Sequence, residues 1–456
     1  MSAPLHVIIL AAGQGSRMKS SLPKVLHRVA GKPMLHHVMD TSRALGAAGL
    51  HCVIGHGADQ VRAITPAEDV HWALQEQQLG TGHAVAQALP GVPDNATVLV
   101  LYGDVPLTNA ETLVALVSRV HDTSLGLLTV DLANPDGYGR IVRDHHGKVT
   151  AIVEQKDASD DQKTIGEVNT GILAVSASHL KRWLPQLSNS NAQGEYYLTD
   201  IIAMAAGEGI TIEVAQPATE QEVQGVNNRI QLAELERWFQ RSEAQRLMTE
   251  GASLADPARI DVRGSLSIGQ DVLIDVNVVF EGRVTLGNNV SIGPNCVLRD
   301  ADLADGVVVH ANSIIEGAQI HQSAQVGPFA RLRPGTVLEA GAKVGNFVET
   351  KKAHVGAGSK INHLSYVGDA TLGEDVNVGA GTITCNYDGV NKFQTVLGDR
   401  VFVGSNTALV APVTVAADAV IGAGSTITRD IEANDLAVAR GKQRNIKGWQ
   451  RPQKNS

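Results

Sequence analysis

The sequence predicts an α/β doubly wound domain, followed by a long linker helix and an all-β parallel β-helix. Three observations predict this fold class: continuous apolar runs ending in glycine or aspartate in the first half, a charged helix-favouring segment in the middle, and an apolar residue at every sixth position thereafter. We place the first domain at residues 1–226, the linker helix at 227–250, the β-helix at 251–437 and a basic tail at 438–456.

The first half alternates short apolar runs with helical patterns. Residues 7–10 and 98–102 are uninterrupted apolar runs, which are typical of parallel strands that are covered on both faces. Residues 34–45 and 110–120 have helix-favouring compositions and lie between such runs. This alternation favours a doubly wound sheet with helices on both sides.

The segment from Asn227 to Glu250 predicts one long helix. It combines Leu235 and Leu247 with many glutamates, glutamines and arginines. Either Asn227 or Asn228 can serve as its N-cap, because a short polar side chain can accept a hydrogen bond from the first helical N–H groups.

The second half has a hexapeptide period, which matches neither a helix nor a single strand. Such a period suits a short flat strand, a tight turn and the next strand, with one side chain of each strand pointing inward. Turn-forming residues near 385–389 predict the largest outward loop. The repeat runs in three phases, which comprise Val262, Ile268, Ile274, Phe280, Leu286, Ile292 and Leu298; Val308, Ile314, Ile320, Val326, Leu332, Leu338 and Val344; and Leu397, Val403, Leu409, Val415, Ile421 and Ile427.

Composition indicates a soluble globular protein. The chain is 43% hydrophobic and 19% charged, and its net charge of −9 argues against nucleic acid as a partner. Cys52, Cys296 and Cys385 are too few and too far apart for a disulfide framework, which favours a reducing compartment. No run is long enough to span a membrane and no signal peptide precedes the first apolar run, so we expect a cytoplasmic protein.

A loop of small residues follows the first predicted strand. Residues 10–18 read Leu-Ala-Ala-Gly-Gln-Gly-Ser-Arg-Met, and Pro23-Lys24 comes soon after. Small residues let backbone N–H groups approach phosphate oxygens, and we expect a following helix N-terminus to favour negative charge there. Arg17 and Lys24 add full positive charges that suit a triphosphate.

A carboxylate follows the second buried strand, in the sequence Tyr102-Gly103-Asp104. Ligands bind at the carboxyl ends of strands in open α/β sheets, and Mg²⁺ is typically held by one or two side chains plus substrate phosphates. Asp104 is therefore a candidate Mg²⁺ ligand, although an aspartate after a strand is often only a turn residue or a helix cap.

The phosphate loop resembles the signature of sugar-nucleotide pyrophosphorylases, with Ser16 where threonine is commoner. Further motifs at 75–84, 137–140, 152–154, 168–171 and 222–228 appear in order. With the β-helix they resemble, over essentially the whole chain, the family of bifunctional bacterial N-acetylglucosamine-1-phosphate uridyltransferases/glucosamine-1-phosphate N-acetyltransferases. The resemblance implies that the β-helix is left-handed, that UTP and acetyl-CoA are substrates, and that the protein is a homotrimer.

The resemblance also implies a set of residues for the uridyltransferase. Arg17 and Lys24 would neutralise phosphate charge, and Asp104 and Asn227 would hold Mg²⁺. The residues that would bind UDP-N-acetylglucosamine are Leu10, Ala11, Ala12, Gly13, Lys24, Gln75, Gly80, Thr81, Tyr102, Gly103, Asp104, Gly139, Glu154, Asn169 and Asn227.

Motifs within the hexapeptide region resemble those of the family's acetyltransferases. Acetyl transfer to an amine needs a base with a pKa near 7, and the resemblance makes His363 that base. Cys385 lies beside the site, but direct transfer needs no cysteine nucleophile. Glucosamine phosphate would be bound by Arg333, Lys351, Tyr366 and Asn377. Acetyl-CoA would be bound by Ala380, Asn386, Tyr387, Ser405, Ala423 and Arg440.

Two other readings remain open from sequence. The chain could be a single-activity nucleotidyltransferase whose β-helix only assembles or regulates it, or a non-enzymatic scaffold that has kept both folds. Arg333, Lys351 and His363 argue against the first reading. Lys24, Asp104 and Asn227 argue against the second. In the favoured reading, the acetyl site is shared between neighbouring chains of the trimer, and the product supplies cell-wall and lipopolysaccharide synthesis.

Overall fold

The computed structural model describes residues 3–65, 67–452 and 454, so residues 453, 455 and 456 of the predicted tail lie outside the described part. The chain divides into two compact units, Met1–Phe239 and Gln240–Ser456. Each has its own hydrophobic core, and each is described separately below.

The first unit is built on a nine-stranded mixed sheet. The order of its main path is β11-β7-β10-β6-β1-β4-β5; β8 and β9 extend it beside β10, while β2 and β3 form a small separate ribbon. The strands are β1 (Leu5–Ala11), β2 (Arg28–Val29), β3 (Lys32–Pro33), β4 (Gly49–Ile54), β5 (Val70–Leu74), β6 (Thr97–Tyr102), β7 (Ser124–Asp131), β8 (Arg140–Arg143), β9 (Val149–Val153), β10 (Glu167–Ser176) and β11 (Thr211–Ala215).

Helices cover both faces of this sheet. Alternate residues of β1 and β6 enter opposite cores, with Ile8 and Val100 on one side and Ile9 and Leu101 on the other. The helices of this unit are α1 (Met34–Ala44), α2 (Ala58–Ile64), α3 (Thr81–Ala88), α4 (Ala110–Val117), α5 (Asp160–Lys163), α6 (Ala177–Trp183) and α7 (Asp200–Gly207); a further helix, α8 (Arg229–Thr249), crosses the boundary between the two units. Short 3₁₀ helices are Ser16–Met18, Lys24–Leu26, Leu89–Gly91, Leu184–Gln186 and Glu220–Val223.

The centre of the sheet positions the first site. β1 pairs in parallel with β4 on one side and with β6 on the other, so the connections leave β1 in two directions. The carboxyl ends of β1 and β6 therefore open a crevice at the point where the strand order reverses. β10 is antiparallel to both β6 and β7, and this makes the sheet mixed rather than wholly parallel.

The second unit is a three-faced prism of stacked coils. An eleven-strand sheet, here called face 1, comprises Ser253–Leu254, Leu273–Ile274, Ser291–Ile292, Val308–Val309, Gln325–Val326, Lys343–Asn346, Lys360–His363, Asn377–Val378, Phe402–Val403, Val420–Ile421 and Leu436–Ala437. Side-chain hydrogen bonds between coils join residues 17 or 18 apart in sequence, as three hexads per coil require.

A second sheet bends around a corner of the prism and covers the other two faces. Val297–Leu303 pairs with two successive strands, which shows the bend; we call the earlier part of each coil face 2 and the later part face 3. The strands are Ile260–Ile268, Val278–Leu286, Val297–Leu303, Ile314–Glu316, Gln319–Ile320, Arg331–Leu332, Val337–Leu338, Glu349–Val355, Tyr366–Leu372, Ile383–Cys385, Thr395–Leu397, Ala408–Val410, Val413–Val415 and Thr426–Ile427.

The prism turns its corners with residues in the left-handed conformation. Asn277, Asn295 and Asn312 form one such column, with φ values near +60°, and their side chains hydrogen-bond from coil to coil. Asparagine adopts this conformation more readily than other non-glycine residues, because its short polar side chain can hydrogen-bond locally.

The predicted hexad phases largely coincide with the core of the prism, with one error. The first and third phases are buried apart from Ile268, which packs against the core from a partly buried position. In the second phase, Val308 and Ile314 point outward, and their neighbours Val309 and Ile315 are the buried residues. The large inward residues here are Leu298, Leu303, Val309, Ile315 and Ile320, so two steps of five, at 298–303 and 315–320, interrupt the period of six.

Candidate functional site

A cavity of about 210 Å³ opens at the carboxyl edge of β1 and β6. The loop after β1 forms one wall, and the segment before α3 forms another. Many of the residues predicted for nucleotide binding line this cavity: Leu10, Ala11, Ala12, Gly13, Lys24, Gln75, Gly80, Thr81, Tyr102 and Asp104. Gly103 lies just behind it, where its N–H donates to the carbonyl of Leu10 at 2.9 Å.

The loop after β1 differs from the expectation in one respect. Only a single 3₁₀ turn, Ser16–Met18, follows it, so the expected α-helical N-terminus is absent at this position. Gly15 adopts a φ of +62°, and a Cβ there would lie 2.6 Å from the Cβ of Lys24. Glycine thus lets the loop fold tightly onto the Lys24 stem, and positive charge at this site comes mainly from side chains.

Four predicted polar residues converge at one side of the cavity. Lys24 makes an ion pair with Asp104, and both side chains are largely buried. The side-chain oxygen of Asn227 accepts hydrogen bonds from Arg17 at 2.9 Å and from Lys24 at 3.4 Å. Residues separated by about 200 positions in the sequence thus form one cluster of two cations, a carboxylate and an amide.

The two asparagines before α8 have different roles. The side-chain oxygen of Asn228 accepts from the N–H groups of Ile230 and Gln231, at 2.9 and 3.0 Å, so Asn228 is the N-cap. Gln231 in turn accepts from the N–H of Asn227 at 2.8 Å. The cap therefore holds the backbone of Asn227 and leaves its side chain free to face the charged cluster.

The donor set of this cluster fits a divalent cation bound together with phosphate. Asp104 and Asn227 offer oxygen ligands, and both contact Lys24. Within residues 3–65, 67–452 and 454, no group of three or more His, Cys, Asp or Glu side chains could hold a metal ion. A two-ligand site is the type expected for Mg²⁺, which keeps water and substrate phosphates as its other ligands.

The opposite wall of the cavity is held by buried hydrogen bonds. The Gln75 side chain is buried and donates to the carbonyl of Gly80 at 3.1 Å. Gly80 has a φ of +108°, and a Cβ there would lie 2.6 Å from the carbonyl oxygen of Tyr196. Gln78 and Glu195 also line the cavity, but sequence reasoning missed them as site residues. Glu195 follows a polar loop that carries no recognisable signal.

Three residues predicted to bind the sugar meet beside the cavity. The N–H of Asn169 donates to the carbonyl of Gly139 at 2.8 Å, and a Cβ on Gly139 would lie 3.4 Å from the Glu154 carboxyl. Burial is the main cause that raises the pKa of Glu154, while a hydrogen bond from Thr199 opposes it. Burial raises the pKa of Tyr102, and the negative charges of the nearby Glu154 and Asp104 carboxylates raise it further.

On the prism, several predicted residues form a single column. The carbonyls of His363, Ala380 and Ser405 each accept a hydrogen bond from a backbone N–H group of the next coil. These residues all lie just before the corner between faces 1 and 2, and the bonds stack them one above the other. The Arg440 guanidinium donates to the Ala423 carbonyl at 2.7 Å, so the column continues through these two residues. The column forms one exposed edge, along which an elongated ligand could lie.

An alternating column of charges runs along face 2. Arg263 pairs with Glu281, Glu281 with Arg299, and Arg299 with Glu316. Each cation therefore has an anionic neighbour one coil away, and this part of the face is electrically balanced.

The alternation of positive and negative side chains ends in the coils that carry Arg333 and Lys351, the residues predicted to bind phosphate. Lys351 lies beside Lys392, and repulsion between the two ammonium groups lowers the pKa of Lys351, with Arg333 adding to the effect. Arg333 donates to Glu349 at 2.9 Å. This level carries surplus positive charge and suits a dianionic phosphate. Sequence analysis missed Lys392 because this residue lies in a loop that interrupts the hexapeptide repeat.

The remaining predicted residues lie on different faces. Tyr366 is on face 2, next to Glu349, whereas Asn377 is on face 1, next to Lys360. Asn386 is buried and donates to Asp369 at 2.5 Å, and Tyr387 begins the exposed loop that returns at Lys392. One chain therefore does not bring Tyr366 and Asn377 onto the same surface.

Among the residues that the structure describes, none of the helices combines the length and the apolar character needed to cross a bilayer.

Comparison with known proteins finds relatives of both halves of the chain and of the chain as a whole. The MobA-like NTP transferase domain profile matches residues 7–148, and the bacterial transferase hexapeptide profile matches residues 266–300 and 394–429. The bifunctional protein GlmU of Marinobacter nauticus is 73% identical over 99% of this chain and 100% of its own length. The proteins of the same name from Pseudomonas entomophila and Cellvibrio japonicus are each 60% identical, over 99% of this chain and 99% and 100% of their own lengths.

The chain belongs to the bifunctional protein GlmU family.

Membership of the GlmU family decides between the alternatives left open by the sequence. The chain is a bifunctional enzyme that makes UDP-N-acetylglucosamine, by N-acetylation of glucosamine 1-phosphate and uridylyl transfer to the product. Its C-terminal part is a left-handed β-helix of hexapeptide repeats. The readings as a single-activity nucleotidyltransferase and as a scaffold are wrong.

Proposed function

We propose that uridylyl transfer takes place in residues 1–226 and acetyl transfer in residues 251–437, with 227–250 as a linker and 438–456 as a tail. The observation that carries this assignment is the presence of two separate clusters of positive charge. One contains Lys24 and Arg17 beside the sheet cavity, and the other contains Lys351 and Lys392 on the prism.

In the first site, a phosphate oxygen of N-acetylglucosamine 1-phosphate attacks the α-phosphorus of UTP. The bond from the α-phosphorus to its bridging oxygen breaks, and pyrophosphate leaves. We assign Lys24 and Arg17 to phosphate charge, and Gly139, Glu154 and Asn169 to the sugar. Positioning and charge neutralisation then account for the reaction without a protein nucleophile.

We assign a bound Mg²⁺ to Asp104 and Asn227. The ion would neutralise the triphosphate and the leaving pyrophosphate. The support is the donor set described above, in which a carboxylate and an amide oxygen meet beside Lys24.

In the second site, we assign His363 as the general base. It removes a proton from the sugar amine as the nitrogen attacks the thioester carbonyl, and the carbon–sulfur bond then breaks to release the CoA thiolate. Ser405, in the same column, is suited to polarise the thioester carbonyl. Cys385 is free and half-buried, and direct transfer gives it no chemical role.

Acetyl-CoA would lie along the column of Ala380, Ser405, Ala423 and Arg440, with Asn386 and Tyr387 at its edge. Small residues there allow close approach of an extended ligand, and Arg440 offers a charge for the CoA phosphates. Arg333, Lys351 and Tyr366 would hold the sugar phosphate.

We propose that the enzyme is a cytoplasmic homotrimer. The support for assembly is the separation of Tyr366 and Asn377 on two faces of one prism, since outward side chains on different faces diverge. A neighbouring copy that presents its own face 1 would bring an Asn377 to the Tyr366 side. Three free cysteines agree with a reducing compartment.

Replacement of His363 by alanine tests the two-site assignment. Thiol release from acetyl-CoA with glucosamine 1-phosphate should fall by about 10²–10⁴-fold. Pyrophosphate release from UTP and N-acetylglucosamine 1-phosphate should stay at the wild-type rate and serves as the internal control for folding. Loss of both activities in a folded variant would contradict separate sites.

A further inference from the structure

Asn346 stands out in the column that contains His363. The two residues are direct neighbours on successive coils of face 1. The same position before the corner holds Pro294, Ala311 and Ala380 in other coils, so the hexapeptide fold itself requires no polar side chain there. The Asn346 side chain therefore needs an explanation other than the turn.

The contact between the Asn346 and His363 side chains determines which ring nitrogen of His363 carries the hydrogen. The Oδ1 atom of Asn346 lies 2.6 Å from Nδ1 of His363. An amide oxygen can only accept, so Nδ1 must carry the hydrogen, and in the neutral imidazole the lone pair is then on Nε2. The carbonyl of His363 also accepts from the Ser365 hydroxyl at 2.9 Å, which holds the backbone at this point.

We infer that Asn346 is a positioning residue for acetyl transfer, which holds His363 in the tautomer whose Nε2 can take the proton of the sugar amine. This inference rests on the proposed role of His363 as the base. As the nitrogen–carbon bond forms, Nε2 receives the amine proton and passes it to the CoA thiolate when the carbon–sulfur bond breaks. The bond from Nδ1–H to Asn346 persists throughout.

A neutral acceptor has a specific advantage at this position. A carboxylate next to the imidazole would favour the charged form, raise its pKa and leave less free base at neutral pH. The titratable groups on the strands around His363 are Lys343 and Lys360 on face 1, and Glu349, Lys351, Lys352, His354, Tyr366 and Asp369 on the two following strands, Glu349–Val355 and Tyr366–Leu372. Glu349 is already engaged with Arg333.

Two substitutions separate positioning from packing. Asn346→Ala removes the acceptor, and kcat for thiol release should fall at least about tenfold at every pH, with pyrophosphate release unchanged. Asn346→Asp keeps an acceptor and adds a charge. The acidic limb of its kcat/KM profile should move up by about one pH unit, and activity should recover to near the wild-type value above that limb.

Asn312→Asp is the matched control, because it places the same charge at the same corner two coils before Asn346. Its profile should coincide with that of the wild type. The inference is overturned if Asn346→Asp loses activity at all pH values without a shift, or if both Asn346 variants behave as wild type while His363→Ala is inactive. If His363→Ala remains active, the proposed base itself is wrong. If Asn346→Ala fails to fold, the profile of Asn346→Asp decides alone.

Discussion

The sheet cavity and the prism edge collect their functional residues in different ways. In the first unit, the carboxyl ends of β1 and β6 bring Lys24, Asp104 and Asn227 into one partly enclosed cluster, although they are far apart in sequence. On the prism, functional residues recur once per coil and line up along exposed columns. Tyr366 and Asn377 stay on separate faces.

The contrast between the enclosed cavity and the open column shows how much of each site a single chain supplies. The cavity has walls, buried hydrogen bonds and paired polar groups within one chain, so its geometry is preorganised. The column on the prism lies open along one edge, and the coils around Lys351 carry surplus positive charge, because Arg333, Lys351 and Lys392 outnumber the nearby Glu349 and Asp369. A repeated fold gives precise spacing along its axis, but it leaves enclosure to ligands or to other copies.

Among variants that remove a charged side chain, the strongest loss should come from the enclosed cavity. Asp104→Ala removes the carboxylate that we assign to Mg²⁺ and should reduce uridylyl transfer by about 10²–10³-fold, because charge that develops on the leaving pyrophosphate is then poorly neutralised. Pyrophosphate release measures the rate, and calorimetric titration with Mg²⁺ and UTP should show weaker binding of the metal complex. Acetyl transfer is the control. If acetyl transfer fell in parallel, the contrast between two independent sites would fail.

A smaller effect should follow loss of charge on the prism. Lys351→Met should raise the KM for glucosamine 1-phosphate by about 10–100-fold, the usual cost of losing one charge-assisted hydrogen bond to a phosphate. Initial rates of thiol release at varied substrate would measure it. Arg299→Met is the matched control, since it removes a cation from the balanced part of face 2. Equal effects of the two variants on KM would show that the break in the charge column has no bearing on binding.

The smallest effect should distinguish two neighbouring asparagines. Asn228→Ala removes the N-cap of α8 and should lower Tm by about 2–4 °C, from a loss of about 1 kcal/mol. Both kcat values should stay close to wild type when they are measured at a temperature well below the Tm of either protein. Asn228→Asp keeps the cap and should restore Tm, whereas Asn227→Ala should keep Tm and lose uridylyl transfer. The reverse pattern would mean that the roles of the two residues are exchanged.

Local patterns in the sequence predicted most of the fold. The apolar runs of β1 and β6 are parallel neighbours with residues buried on both faces, because a central strand needs no polar face. The charged segment before the β-helix forms the helix Arg229–Thr249. The hexad period marks inward residues because one large apolar side chain in each hexad points toward the axis.

The errors have identifiable physical causes. Val308 and Ile314 are apolar and fit a period of six, but a five-residue step in that coil moves the inward position to Val309 and Ile315. The expected helix after the phosphate loop is a 3₁₀ turn, since the chain must return quickly to place Lys24. Glu195 and Lys392 belong to irregular segments whose position depends on contacts distant in sequence.

The inserted loop between Cys385 and Lys392 also bears on how the fold can evolve. The strands on either side of it stay in register, with Ile383 opposite Ala408 and Thr371 opposite Val396. Each coil bonds only to the coils directly before and after it, so a local insertion is not propagated along the stack. New chemistry can therefore be added to a solenoid by lengthening one loop, while the rest of the architecture is inherited without change.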